Sequence, residues 1–155
     1  MAKFHLNRVL PFSADKLFEM VGDVERYPEF VPWINSLRTF NVSRPSDDIT
    51  RFDADVAVGF SFLTERFTTR VTRFSENKTI DIVLLKGPFK RLHCTWKFSD
   101  HTMSNGKVGA AIDFNIDFEF KNPFLDGFLR ANFDKAVSKL MACFEGRAQA
   151  LYPTV

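Results

Sequence analysis

The sequence predicts an α+β fold: a curved antiparallel sheet of about seven strands, two short helices after the first strand, and a long C-terminal helix across the sheet. Strict alternation of apolar and polar residues over 107–120 indicates a strand with one covered and one wet face. Short turn-forming breaks between successive strand patterns favour an antiparallel meander. Over 123–151, apolar residues recur at steps of three and four, which is typical of an amphipathic helix.

The first third of the chain predicts one strand and two short helices. Residues 3–10 alternate as a strand does. Ser13 is positioned to cap a helix over 14–21, and Asp23 to cap a second helix. Two prolines within 23–33 keep that second helix short and bent.

Six strand patterns follow without another helix, at 34–43, 49–59, 61–74, 78–85, 90–98 and 107–120. The Asn105-Gly106 pair between two alternating runs is the strongest hairpin signal. Alternation also predicts which side chains face inward. The clearest inward sets are Phe52, Ala54, Val56 and Val58; Leu92, Cys94, Trp96 and Phe98; and Ala110, Ile112, Phe114, Ile116, Phe118 and Phe120.

The C-terminal segment carries its own start signal. Asn122 offers an N-cap oxygen, and Pro123 suits the first helical position. A continuous helix over 123–151 would be roughly 43 Å long. That is longer than a domain of this size needs merely to cover a sheet, so the pattern predicts a helix that encloses a cavity against the concave face. We expect this helix to act as a lid, with Gly127 and Gly146 near its ends.

Length and composition limit the alternatives. A chain of 155 residues predicts a single domain over 1–155 that folds without a disulfide or metal. Phe, with 19 residues, is the most common apolar residue. Such rings can either pack solidly or line a hollow, and composition leaves both alternatives open.

Charge, cysteines and hydropathy predict a soluble cytoplasmic protein. The net charge is +2, without the clustered basic stripe that DNA binding requires. Cys94 and Cys143 are expected to be buried thiols in a reducing compartment. The first ten residues lack the apolar core of a signal peptide, and no apolar run approaches the ~18 residues of a membrane span.

Signatures of catalysis are missing from the sequence, and we predict neither catalytic residues nor a metal site. There is no Gly-rich phosphate loop, nucleophile elbow or pair of histidines at metal spacing. The acidic row Asp113, Asp117 and Glu119 is explained by the solvated side of its strand. Glu65 shares a face with apolar residues, so it either pairs with an arginine at the rim or lines a wet cavity.

Two segments present aromatic side chains on fixed turns. Residues 27–33 place three aromatics between two prolines, which suits either a corner of the core or a binding surface. In the turn at 86–91, Phe89 is flanked by Lys86, Lys90 and Arg91. This tip suits contact with a membrane surface at a pocket entrance, and an ordinary hairpin turn is the alternative.

The order of elements and four segments together resemble the coenzyme Q-binding START-domain family. This family lies in the START-like, polyketide cyclase superfamily of helix-grip folds and includes bacterial ribosome-association toxin-like proteins. The segments are 23–33 (DVERYPEFVPW), 67–71 (FTTRV), 87–92 (GPFKRL) and 144–148 (FEGRA). The similarity covers about residues 2–152. Ile34 stands where the family usually has Cys, so no role of that thiol is carried over. The targeting extension of mitochondrial members is missing, which fits a bacterial cytoplasmic member.

The resemblance implies a non-catalytic protein that binds ubiquinone or a related polyprenyl lipid and supports respiration. Flat aromatic faces can stack on a quinone, and apolar walls can hold an isoprenoid tail. A regulator that binds the large ribosomal subunit is the second hypothesis, and a polyketide aromatase/cyclase is the third. The residues expected to contact the lipid are Trp33, Val56, Val58, Leu63, Phe67, Leu84, Trp96, Phe114 and Phe133.

Overall fold

The computed structural model describes residues 2–60 and 63–155, without the side chains of Ala2, Phe60 and Leu63. The predicted α+β architecture is confirmed. Its seven strands are β1 Ala2–Leu10, β2 Ile34–Ser46, β3 Ile49–Phe60, β4 Leu63–Phe74, β5 Thr79–Lys86, β6 Phe89–Thr102 and β7 Val108–Phe120. The beginning of the pattern at 61–74 lies outside the described residues.

All neighbouring strands are antiparallel, in the order β1-β7-β6-β5-β4-β3-β2. Strands β2 to β7 form the predicted meander, and β1 returns to pair with the last strand. Leu6 lies opposite Phe114 in that pairing. The predicted Asn105-Gly106 turn joins β6 to β7, with Gly106 at φ 83° in the left-handed region that favours glycine.

The helices before β2 begin where the sequence predicts. Helix α1, Ala14–Gly22, is capped by Ser13, whose hydroxyl accepts a hydrogen bond from the Lys16 amide at 3.3 Å. The second helix is a short 3₁₀ helix, Val24–Glu29, with a proline inside it. Asp23 is its N-cap residue, but the Asp23 side chain makes no capping hydrogen bond.

The C-terminal segment is two helices rather than one continuous helix. Helix α2, Pro123–Ala131, is capped as predicted by Asn122, whose side-chain oxygen accepts from the Phe124 amide at 2.9 Å. Helix α3, Phe133–Leu151, begins after a break at Asn132. The Asn132 side chain donates to the Phe128 carbonyl at 2.8 Å, which satisfies an acceptor left open where α2 ends.

The core lies between the concave face of the sheet and the helices. Most of the predicted inward residues of β3, β6 and β7 are buried, among them Ala54, Trp96 and Phe114, whereas Val58, Leu92 and Ile116 are half-buried. Val108, at the edge of the pattern, is exposed instead. The buried side chains form two clusters, a larger one under α1 and α3 and a smaller one around Phe118 and Phe133. In the described part of the chain, no helix is long and apolar enough to cross a membrane.

Candidate functional site

A cavity of about 350 Å³ lies between the concave face of the sheet and helices α2 and α3. The predicted hollow therefore exists beside well-packed rings. The side chains around it are almost entirely apolar. They are Val24, Tyr27, Trp33, Ile34, Leu37, Ala54, Val56, Val58, Phe67, Thr69, Val71, Ile82, Phe89, Leu92, Cys94, Trp96, Phe114, Ile116, Phe118, Phe120, Leu129, Phe133, Ala136, Leu140 and Phe144.

Strand periodicity positions one side of the cavity and helical periodicity the other. Alternate residues of β3 to β7 point to the concave face, because side chains of a strand alternate between the two faces. The helical side comes from Leu129 of α2 and from residues of α3 spaced three and four apart. The small side chain of Ala136 lies between the larger Phe133 and Leu140 in that stripe, which leaves room beneath the helix.

Aromatic rings around the cavity brace one another. The Trp96 ring lies 4.5 Å from that of Phe114 and 5.2 Å from that of Phe144, measured between centroids. Phe67 and Phe89 meet edge to face at 5.4 Å. Such contacts hold the rings in place, so the cavity wall presents both faces and edges of fixed aromatic groups.

Few polar groups line the cavity, and most of them have a hydrogen-bond partner or stay neutral. The Tyr27 hydroxyl donates to the Val21 carbonyl. Burial raises the pKa of Tyr27 and of the Cys94 thiol, so both stay protonated and neutral. No carboxylate, histidine, lysine or arginine is among the described residues that line the cavity. The site therefore offers apolar and aromatic contact rather than groups placed for acid–base chemistry.

Most residues expected to contact a lipid lie around this cavity. Seven of the nine line it: Trp33, Val56, Val58, Phe67, Trp96, Phe114 and Phe133. Leu84 does not; it is half-buried and packs against the smaller cluster. A register shift in β4–β5 pairing, between Thr68 and Thr69, interrupts the alternation near Leu84. The side chain of Leu63 lies outside the described residues.

The turn between β5 and β6 differs from the predicted entrance. Phe89 is only 9% exposed and contributes to the cavity wall instead of projecting into solvent. Gly87 lets the turn approach this wall closely, because at φ 152° a Cβ on Gly87 would come within 2.5 Å of the Phe67 Cβ. Lys86 and Lys90 remain exposed beside the turn.

Arg91 lies on the opposite, convex face of the sheet. Its guanidinium donates to Asp117 and Glu119, both at 2.9 Å. These hydrogen bonds raise the pKa of Arg91 and lower that of Glu119. Arg91 is thus part of an ion-paired outer surface, and the acidic row of β7 is the solvated side of a strand, as alternation predicts.

Glu65 fits neither of its two predicted roles fully. It is half-buried on β4, opposite Val58 in the register, and is not among the side chains that line the cavity. It makes no ion pair with another residue that the structure describes. Its place is the rim of the concave face, near the beginning of β4.

Several lining residues were not singled out from the sequence. Phe118, Phe120 and Phe144 are examples, and all three belong to inward patterns that the sequence does show. The signal that could have identified them is their shared face, since Phe118 and Phe120 follow Phe114 at period two. Alternation reports burial, however, and does not report which buried residues border empty space.

A second cleft, of about 400 Å³, lies at the other end of the concave face. Its arginines have acidic partners: Arg73 contacts Glu19 within the cleft at 2.9 Å, and Arg147 contacts Glu29, outside the lining, at 3.2 Å. The cleft is polar, unlike the cavity under α2 and α3. Among the described residues, no group of three His, Cys, Asp or Glu side chains is arranged to hold a metal ion.

The sequence of this chain matches a known family over most of its length. Residues 10–145 match the model of a family described as polyketide cyclase/dehydrase and lipid transport. The chain belongs to this family. The predicted resemblance is confirmed.

Among the relatives of this chain, some are named for ribosome association and others for coenzyme Q binding. The chain is 33% identical over 150 residues to the ribosome association toxin RatA of Pseudomonas aeruginosa, covering 96% of this chain and 97% of that protein. It is 27% identical over 146 residues to the mitochondrial coenzyme Q-binding protein COQ10 homolog B of Xenopus laevis, covering 94% and 57% respectively. The solution structure of an 18 kDa protein from Caulobacter crescentus is similar at 47% identity and a TM-score of 0.79, covering 97% of this chain and 98% of that one.

Proposed function

We propose that the protein is a non-catalytic carrier of a polyprenyl quinone, with ubiquinone or a close analogue as its ligand. The apolar, aromatic cavity under α2 and α3 is the observation that carries this proposal. A quinone ring is flat and weakly polar, so it gains from contact with the faces of Trp33 and Trp96. The name of the COQ10 relative supports the same ligand class.

The size of the cavity suits the ring and the first part of an isoprenoid tail. Small-molecule sites have volumes of about 300–1,000 Å³, and this cavity, at about 350 Å³, is near the lower end. A long tail would therefore leave the cavity between α2 and the β5–β6 turn. Hydrophobic contact along that path is supplied by Phe89, Phe120 and Leu129.

The first experiment is extraction of the protein purified from its own host, followed by mass spectrometry of the organic phase. A quinone recovered in near-stoichiometric amount supports the proposal. In vitro, a short-tailed ubiquinone should quench the fluorescence of Trp33 and Trp96 in a saturable way. If the purified protein contains no quinone and shows no saturable quenching, the proposal that it binds a quinone is wrong.

Ribosome association is a second candidate, supported by the name of the Pseudomonas relative and its similarity along nearly the whole chain. The surface offers limited support, because Arg70 and Arg91 are engaged by carboxylates while Lys86 and Lys90 are exposed. Co-sedimentation with large ribosomal subunits that persists at moderate salt would favour this candidate. Loss of co-sedimentation with a small rise in salt would indicate non-specific attraction instead.

A polyketide aromatase/cyclase is the least supported reading. That chemistry needs acid–base groups beside the substrate, and none of the described lining residues carries a carboxylate or an imidazole. Glu65, the one acid considered from the sequence, lies at the rim rather than in the lining.

A further inference from the structure

Helix α2 presents aromatic side chains to solvent beside the cavity that its Leu129 lines. Phe124 is 74% exposed and Phe128, one turn later, is 37% exposed. On the adjacent face of the same helix, about 100° around its axis, Leu125 is buried and Leu129 lines the cavity. Residues four apart lie on one face of a helix, so Phe124 and Phe128 form one outward apolar strip.

The attachment of α2 to the rest of the protein is limited. Among the nine residues of α2, all of them described, Leu125 is the buried one. The helix packs on β7, and Asp126 fastens its first turn by accepting a hydrogen bond from the Phe120 amide at 3.0 Å. Its C-terminal end is the break at Asn132. The helix is thus a short cover of the cavity that is held at its two ends.

Three lysines lie near the N-terminal end of α2. The Lys121 amide donates to the Pro88 carbonyl at 2.8 Å, which places the start of α2 beside the β5–β6 turn. Lys86 and Lys90 on that turn and Lys121 are all exposed. Neither Lys86 nor Lys121 forms an ion pair with another residue that the structure describes.

Carboxylates near this surface are balanced by neighbouring cations. Asp117 and Glu119 accept from Arg91, and Asp126 pairs with Arg130 at 2.9 Å. Lys90, at 3.5 Å from Glu119, is the third cation for these three carboxylates, which leaves Lys86 and Lys121 unbalanced. The surface around the strip therefore carries an excess of positive charge.

We propose that α2 is the membrane-docking element of this protein, with Phe124 and Phe128 entering the interface of an anionic bilayer while Lys86, Lys90 and Lys121 contact its head groups. Aromatic rings on an amphipathic helix gain free energy at the boundary between head groups and acyl chains, and nearby lysines add electrostatic attraction to anionic lipids. Docking would place the cavity opening beside Leu129 against the acyl chains of the bilayer. A quinone would enter and leave through this opening, and this part of the inference rests on the proposed quinone-carrying function.

The test is flotation of the full chain with phosphatidylcholine vesicles, with or without phosphatidylglycerol. We expect binding to the vesicles that contain phosphatidylglycerol, weakened by salt because the lysines act through charge. Phe124→Ser should lower the partition coefficient by about tenfold or more, as loss of one inserted Phe side chain implies. Lys121→Gln should lower it by about fivefold, and only on anionic vesicles.

Val42→Ser is the matched control, because Val42 is 65% exposed and lies beside the polar cleft at the other end of the sheet. It should leave vesicle binding unchanged. Wild-type protein that fails to float with anionic vesicles, or Phe124→Ser protein that floats as well as wild type, would overturn the proposal. A Phe124→Ser effect confined to co-sedimentation with ribosomal subunits would also overturn it, by assigning the strip to a different partner.

Quenching by a short-tailed ubiquinone in solution separates this inference from the proposed function. Phe124 and Phe128 are outside the cavity lining, so their variants should keep wild-type quenching while vesicle binding falls. Quenching without vesicle binding by the wild type rejects the docking surface alone. Vesicle binding without quenching would contradict quinone binding and would still support α2 as the docking surface.

Discussion

Val56 lies on the concave face of β3, is buried, and borders the cavity. Val56→Phe should therefore place a ring in the space that a ligand would occupy. We expect at least a tenfold loss of affinity for a short-tailed ubiquinone, with a cost in stability of about 1–3 kcal/mol if the ring is overpacked. Tryptophan quenching measures the affinity, and thermal unfolding measures the stability.

Val83→Phe provides the control for that substitution. Val83 is half-buried on the convex face of β5, opposite His93 in the register, and does not line the cavity. Its affinity for the quinone should match that of wild type. Equal affinity of both variants and wild type would mean that the ligand does not occupy this cavity.

Asp53 is a buried carboxylate on the convex face, with its side chain only 5% exposed. Arg70 donates to it at 3.0 Å and Asn41 at 3.1 Å, and these hydrogen bonds lower the pKa of Asp53. A lowered pKa in the folded state means that the ionised carboxylate stabilises the protein above its ordinary pKa of about 3.9. That stabilisation is lost as the pH falls through the folded-state pKa.

Asp53→Asn should accordingly destabilise the protein by about 1–2 kcal/mol at neutral pH, since Arg70 is partly exposed and screened. The difference from wild type should shrink as the pH falls below about 4, because the wild-type carboxylate then becomes neutral. Urea unfolding across that pH range measures both effects. Asp100→Asn, at an exposed residue of β6, should leave stability nearly unchanged; a pH-independent deficit in Asp53→Asn would contradict the electrostatic account.

At the scale of elements, the division of the C-terminal segment into α2 and α3 restricts the expected lid to α2. Its amides should exchange faster with solvent than those of β3 and β7, because α2 buries little of its surface. Gly127→Ala adds a Cβ into open space and should stabilise α2 by about 1 kcal/mol, slowing exchange there about fivefold.

Gly146→Ala is the matched change in α3, where an added Cβ also meets open space. This substitution should slow amide hydrogen exchange in α3 only. Site-resolved hydrogen exchange measures both variants. Wild-type α2 amides as protected as those of the central strands, with or without lipid, would rule out opening of the cavity through α2.

The sequence predicted these elements well where the signals are local and repeated. Alternation in β7 and the Asn122-Pro123 start of α2 were both confirmed. The break at Asn132 was missed because the apolar stripe continues through it, and periodicity does not report a change of backbone direction. Phe89 was misplaced because its cationic neighbours suggested exposure, whereas the strand pairing of β6 with β7 turns it inward against Phe120.

For the molecule as a whole, binding a ligand only in the folded state should raise its stability. At a free quinone concentration a hundredfold above the dissociation constant, the gain is about 2.7 kcal/mol. For a chain of this length that corresponds to a rise of about 5–10 °C in the unfolding midpoint. Differential scanning fluorimetry with a short-tailed ubiquinone measures the shift, and a midpoint unchanged at saturation would contradict binding to the native state.

The pairing of β1 with β7 has a consequence for biosynthesis. Leu6 meets Phe114, so more than a hundred residues separate partners in one ladder. A nascent chain leaves the exit tunnel N-terminus first, so β1 has no partner in this ladder until β7 has been translated. Strands β2 to β7 can pair with neighbours in sequence. The pairing of β1 with β7 closes the longest loop, which predicts a slow final phase of folding.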